Sequence, residues 1–174
     1  VELDPSFREE ISQIQERFSG FDLKFVNPEI VHITLKFLGD IKESMVAPIA
    51  EALDSIMCEP FEARIKGLGA FPKLSNPKVL WLGATGNFET LHADVETVLK
   101  PFKFKEEERA FTAHATLARA KFLNKDQKNA FADVLKELKD IELGSMRVNK
   151  VLLKKSTLTP DGPIYETLHT VYLD

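Results

Sequence analysis

One four-residue pattern occurs twice in this chain, as His32-Ile33-Thr34-Leu35 and His114-Ala115-Thr116-Leu117. Each copy lies in a β-prone run, residues 31–38 and 111–118. Along a strand, side chains i and i+2 share a face, about 6.6 Å apart. Each copy therefore sets an imidazole beside a hydroxyl, with Ile33 and Leu35, or Ala115 and Leu117, turned the other way. Two such pairs facing each other supply two proton carriers and two neutral hydrogen-bond donors. That set suits phosphate ester chemistry, which needs an acid, a base and donors to charged oxygens.

The recurrence carries the signal. With 4 His, 10 Thr and 21 Leu, a shuffled chain holds about 0.03 copies of His-x-Thr-Leu. A single copy is better read as the polar face of a half-buried strand. Other residues are weaker candidates. Lys36 shares strand parity with His32 and Thr34 and could meet a phosphate. Arg119 is a similar substrate-binding candidate, but it has the opposite parity from His114 unless the strand bends or bulges. Trp81 and Tyr165 could stack a base, although core packing is the expected role. His92 on a helix and His169 on the last strand have no partner at motif spacing and are read as structural or exposed.

No metal is expected. Two His from separate strands fall short of the three protein ligands of a catalytic zinc, and no Asp or Glu stands two residues from either. The chain has no Gly-x-x-x-x-Gly-Lys-Ser/Thr loop, so neither ATP dependence nor another cofactor is expected.

These side chains must be positioned by a modest frame. A length of 174 residues suits one substantial core, with 44% hydrophobic and 29% charged residues, as in an ordinary soluble globular protein. A net charge of −4 excludes a strongly basic duplex binder but leaves room for a small or single-stranded ligand. The lone Cys58 excludes an internal disulfide, fits a reducing cytoplasm, and reads as filler on an apolar helix face. No apolar run is long enough to span a membrane. Val1-Glu2-Leu3 reads as the end of a strand whose start is missing.

Asp4-Pro5 opens a helix with apolar Phe7, Ile11, Ile14 and Phe18 at helical spacing. A strand over residues 23–26, the first His-Thr strand and a helix over residues 43–57 follow. Strands at residues 61–66 and 78–82 then flank a loop holding Gly67, Gly69, Pro72 and Pro77. The second half repeats this order, with a helix capped by Asn87, the second His-Thr strand, a helix capped by Asn124, and strands at residues 147–153 and 164–173. A turn at residues 159–163 joins the last two. Residues 103–109, of mixed charge, read as a solvated loop bordering the site. Asp4 and Asn87, His32 and His114, and the two following helices stand about 82 residues apart. This order predicts an α+β fold of two similar lobes about a shared cleft, built as a single domain over residues 1–174 and expected to be monomeric.

The runs Val31-His32-Ile33-Thr34-Leu35-Lys36-Phe37-Leu38-Gly39 and Phe111-Thr112-Ala113-His114-Ala115-Thr116-Leu117-Ala118-Arg119 resemble the paired motifs of the two-histidine phosphoesterase superfamily. The resemblance is strongest to its LigT-like family. It extends to Val79-Leu80-Trp81-Leu82-Gly83 and to the closing hairpin, so it covers nearly the whole chain. It implies a cytoplasmic RNA 2′,3′-cyclic phosphodiesterase acting on RNA ends or nucleotides that carry a 2′,3′-cyclic phosphate. The resemblance further implies that His32 donates a proton, His114 accepts one, and Thr34 and Thr116 bind non-bridging oxygens. Sequence alone does not order the two His, because the motifs are locally alike. The same site run backward would form a 2′-5′ RNA linkage. The alternatives are a non-catalytic RNA-end binding module and a phosphodiesterase for another small cyclic or 2′-5′ nucleotide.

Overall fold

The computed structural model describes residues 1–105, 107 and 109–174, so Glu106 and Glu108 of the mixed-charge loop lie outside the described residues. Four α-helices and seven strands follow in the order α1 (Arg8–Arg17), β1 (Leu23–Phe25), α2 (Val46–Leu53), β2 (Phe61–Lys73), β3 (Asn76–Thr85), α3 (Phe88–Leu99), β4 (His114–Ala120), α4 (Lys125–Leu138), β5 (Glu142–Val148), β6 (Lys150–Thr159) and β7 (Gly162–Tyr172). The fold is α+β, with two antiparallel sheets of strand order β1-β4-β3-β2-β5 and β6-β7. The laddered strands are thus split five to two. β4, from the second half of the sequence, lies between β1 and β3 of the first. The halves interleave.

Local chemistry explains the helix starts. Asp4 accepts from the Ser6 N–H, ahead of Pro5 in a single 3-10 turn that leads into α1. Asn124 and Gln127 form a reciprocal capping box at the start of α4. Asn87 precedes α3 but makes no side-chain cap; its Oδ1 instead accepts from Thr90 Oγ1 at 2.7 Å.

Helices α1 and α4 pack on β4 and β2, whereas α2 packs on β7 and α3. Phe18 of the α1 end meets Phe131 of α4 with ring centres 5.0 Å apart, and Phe21 closes an edge-on contact to Phe131 at 5.5 Å. Ile11, Ile33, Ile65, Leu82, Leu91, Ala115 and Leu117 are each at most 1% exposed. Burying the Ile and Leu side chains among them contributes about 1.5–3 kcal/mol apiece before entropy opposes it. The odd residues of both His-Thr motifs are therefore anchored in the core.

Several elements differ from the sequence reading. The first His-Thr segment is not a laddered strand; it is held by isolated bridges from Glu2 to His32 and from Ile33 to Ala115. The second laddered strand starts only at His114. The Gly/Pro stretch expected to be a loop is strand, because β2 and β3 run on to a tight turn at residues 74–75. Gly69 makes this possible, since its Cα faces the Trp81 ring and a Cβ there would lie 2.0 Å from Trp81 Cζ2. Helix α2 is shorter than the 43–57 expected: a 3-10 turn covers Glu43–Met45 and the α-helix ends at Leu53. Cys58 is buried but lies beyond that helix.

Candidate functional site

Ile33 and Ala115 pair antiparallel and both point into the core. Side chains alternate along extended backbone, so His32, Thr34, His114 and Thr116 emerge on the opposite surface. The register sets His32 across from Thr116 and Thr34 across from His114. The two imidazoles then occupy a diagonal, a position whose spacing is about 7–8 Å in an antiparallel pair. All four side chains are only partly exposed.

The imidazoles are held alike. His32 Nδ1 lies 2.8 Å from the Ile30 carbonyl oxygen, and His114 Nδ1 lies 2.7 Å from the Thr112 carbonyl oxygen. A carbonyl only accepts, so each Nδ1 carries the proton and donates. Each Nε2 is thereby left as the position that exchanges a proton with a ligand. Burial pushes the His32 imidazole below its ordinary 6.5, opposed by the bond to Ile30.

Aromatic edges fix the rings. Tyr165 of β7 meets His32 edge-on at 5.0 Å, and Phe71 of β2 meets His114 the same way at 4.9 Å. Trp81 of β3 stands 6.1 Å from His114 and 5.0 Å from Phe71. Its Nε1 is buried and has no hydrogen-bond partner among the described residues. Beside His32, Lys154 Nζ lies 2.6 Å from Glu2 Oε1 and 5.8 Å from the Tyr165 ring centre, and this bond holds the Glu2 carboxyl below its usual range. A cavity of about 1150 Å³ opens here, walled by His32, Thr34, Lys154, Ser156 and Tyr165.

Arg119 reaches the site face through a bulge. In the β3–β4 ladder Trp81 pairs with Thr116 and Leu80 with Ala118, so Leu117 is the extra residue. Val79 then pairs with Arg119, which places Arg119 on the same side as Trp81, Thr116 and His114. Two donors satisfy the carbonyl of Leu117, the Val26 N–H at 2.9 Å and Gln15 Nε2 at 3.0 Å. Lys24 of β1 stands directly opposite Arg119, so two exposed cations flank this edge.

Lys36 is a correction. Its side chain is 4% exposed, and its Nζ donates to both Glu96 oxygens, at 2.6 and 2.9 Å. The backbone bends at Leu35, which breaks the strand parity on which the phosphate-binding expectation rested. His92 and His169 lie elsewhere, the first stacked on Phe111 at 4.2 Å and the second 2.6 Å from Asp54 Oδ1. Phe71, Lys154 and Glu2 escaped the sequence reading. Phe71 sat in what read as a loop, and the other two reach His32 only through long-range pairing. No group of three His, Cys, Asp or Glu that could hold a metal occurs among the described residues.

The arrangement can place one group that gives a proton and one that takes a proton beside a small anion, with two hydroxyls between. The sequence profile of the LigT like Phosphoesterase family matches residues 1–81 and 83–165. A protein of Aeropyrum pernix named RNA 2′,3′-cyclic phosphodiesterase is 40% identical over 156 residues, spanning 88% of each chain. One of the same name from Archaeoglobus fulgidus is 37% identical over 171 residues, 97% of this chain and 94% of that one. The crystal structure of TT0787 of Thermus thermophilus superposes with a TM-score of 0.76 at 28% identity, over 98% of this chain and 93% of that one. Escherichia coli LigT complexed with 3′-AMP gives a TM-score of 0.80 over 99% of this chain and 94% of that one, and at 18% identity it speaks to the fold alone. Sequence and architecture agree across both halves, and this chain belongs to the LigT-like phosphoesterase family.

Proposed function

We propose that the protein hydrolyses the 2′,3′-cyclic phosphate of RNA ends or nucleotides to a 2′-phosphomonoester, with His32 as acid and His114 as base. The observation that carries this reading is the antiparallel pairing of the two motifs with both Nδ1 atoms tied to carbonyls. Relatives named RNA 2′,3′-cyclic phosphodiesterase at 37–40% identity supply the substrate class.

Hydrolysis requires a water oxygen to attack phosphorus in line with the departing O3′. His114 Nε2 takes the proton of the water while the P–O3′ bond breaks, and His32 Nε2 delivers a proton to O3′. The 2′-monophosphate leaves, His114 is left protonated and His32 neutral, and exchange with solvent resets both. The lowered His32 pKa leaves this imidazole neutral at pH 7 in the free protein. The anionic phosphate favours its protonation on binding, as an opposite charge within a few ångströms does. Thr34 and Thr116 donate to the non-bridging oxygens, whose charge grows in the transition state. Arg119 adds a fixed positive charge on the His114 side.

The same residues run in reverse would join a cyclic end to a 5′-hydroxyl through a 2′-5′ linkage, with ring strain as the driving force. Hydrolysis dominates in water. The reading includes a single two-walled domain working as a monomer without metal or ATP.

Incubation with a 2′,3′-cyclic nucleotide followed by phosphorus NMR tests it. The expected product is the 2′-monophosphate, formed equally in the presence of a chelator. An intact cyclic phosphate, or a 3′-monophosphate, would refute it.

A further inference from the structure

We infer that helix α3 braces both His-Thr segments at once, and that Glu96 is the positioning residue of that brace. Each oxygen of the Glu96 carboxylate accepts from Lys36 Nζ, at 2.6 and 2.9 Å. An ammonium this buried is tolerated only when paired, so the bond fixes the path of Lys36. Lys36 is two residues beyond Thr34 and four beyond His32. The first motif is therefore tied down where it leaves the site.

The same carboxylate serves the second motif. Glu96 Oε1 lies 3.6 Å from His92 Nε2, one helical turn earlier. The His92 ring stacks on Phe111 with centres 4.2 Å apart and planes 11° apart. Phe111 immediately precedes Thr112, whose carbonyl orients His114 through Nδ1. A single turn of α3 thus holds the exit of one motif and the entry of the other. Between themselves the motif segments are paired by a single β-bridge, Ile33–Ala115, among the described residues, so the brace adds to the setting of one imidazole relative to the other.

The kinetic arm of the test rests on the proposed hydrolysis, and the spectroscopic arm does not. Glu96→Ala strands a buried ammonium and is expected to lower Tm sharply. Lys36→Met/Glu96→Leu replaces both charges by apolar groups and is expected to recover most of that loss. If the pair braces the site, the recovered double variant still shows kcat reduced about 10- to 100-fold, as misplacement of reacting groups does. Its KM for a 2′,3′-cyclic nucleotide changes by less than about two-fold. Recovered stability with wild-type kcat would overturn the brace.

Phe111→Leu keeps apolar volume but removes the stack. Its His114 ring-nitrogen NMR resonances are expected to move away from those of the wild type. Resonances identical to wild type would overturn the inference whatever the stability of the double variant. A wild-type protein that leaves the cyclic phosphate intact would refute the proposed function and leave this second arm standing.

Discussion

Ile33 and Ala115, the central residues of the two His-x-Thr triplets, are antiparallel bridge partners, and each is 1% exposed. Their apolar side chains lock two segments of distant sequence into one register. A slip of one residue in the first segment would send the His32 imidazole into the core. The register of the two motifs is here a consequence of core packing. Ile33→Ala is expected to destabilise the fold by about 2–5 kcal/mol, or roughly 4–20 °C in Tm, by opening a cavity. A thermal unfolding curve within a degree or so of wild type would contradict this assignment.

The four outward residues divide the work unequally. Either His→Ala substitution is expected to lower kcat by roughly 10²–10⁴-fold, the usual scope of acid–base catalysis. Thr34→Val and Thr116→Val each remove a hydroxyl proposed to donate to a non-bridging oxygen and are expected to lower kcat about 10²- to 10³-fold. Single-turnover rates on a 2′,3′-cyclic nucleotide measure both sets. Wild-type turnover by His32→Ala/His114→Ala would dismiss the mechanism.

The sign of the pH dependence follows from burial. His32 and His92 both have pKa values pushed below 6.5 by burial, so below that pH the unfolded chain binds more protons than the native one. Stability then rises with pH through this window, is full above about 6.5, and is lost as the solution is acidified below it. The same shift acts on rate. With His32 as the acid, the kcat/KM profile is a bell whose basic limb begins on the acid side of neutrality, because that profile reports the free enzyme. A Tm that rises between pH 7 and pH 5 would contradict the stability claim. A kcat/KM still climbing above pH 8 would rule out His32 as the acid.

Much of this was legible in the chain before folding. The two His and two Thr announce themselves by spacing, and alternation alone turns them away from Ile33 and Ala115. Helix starts at Asp4 and Asn124 follow from side-chain caps that act within three residues. What was hidden depends on partners far along the sequence. Lys36 looks free until Glu96, sixty residues away, is folded against it. Arg119 has the wrong parity until the bulge at Leu117 appears, where the Leu117 carbonyl accepts from Gln15 and Val26. Phe71 belongs to a stretch whose Gly and Pro residues read as a loop, and only the flat approach of Trp81 over Gly69 makes it strand.

Gln15 bears on the orientation of Arg119. It is a buried polar residue, 8% exposed, and its Nε2 donates to Val26 O at 2.7 Å and to Leu117 O at 3.0 Å. Gln15→Leu withdraws both bonds and is expected to cost about 1–3 kcal/mol. If the bulge relaxes with it, Arg119 turns from the site face and kcat/KM falls with the stability. A variant that loses stability but keeps kcat/KM would show that the bulge survives without Gln15.

Gly69 offers the sharpest steric test of the His114 wall. A Cβ at this position would lie 2.0, 2.4 and 2.5 Å from Trp81 Cζ2, Cη2 and Cε2. No rotation of a methyl relieves such an overlap, so Gly69→Ala must displace the indole. Trp81 also touches Phe71, and both rings border His114, so the displacement reaches the imidazole. The expected loss is about 1–3 kcal/mol from overpacking, with reduced kcat. Trp81 is the sole tryptophan, which makes intrinsic fluorescence a direct reporter of its surroundings. Its emission is expected to shift to the red as the indole leaves its partly buried place. An unchanged spectrum with unchanged Tm would mean that the indole does not rest on Gly69, and the wall beside His114 would have to be rebuilt.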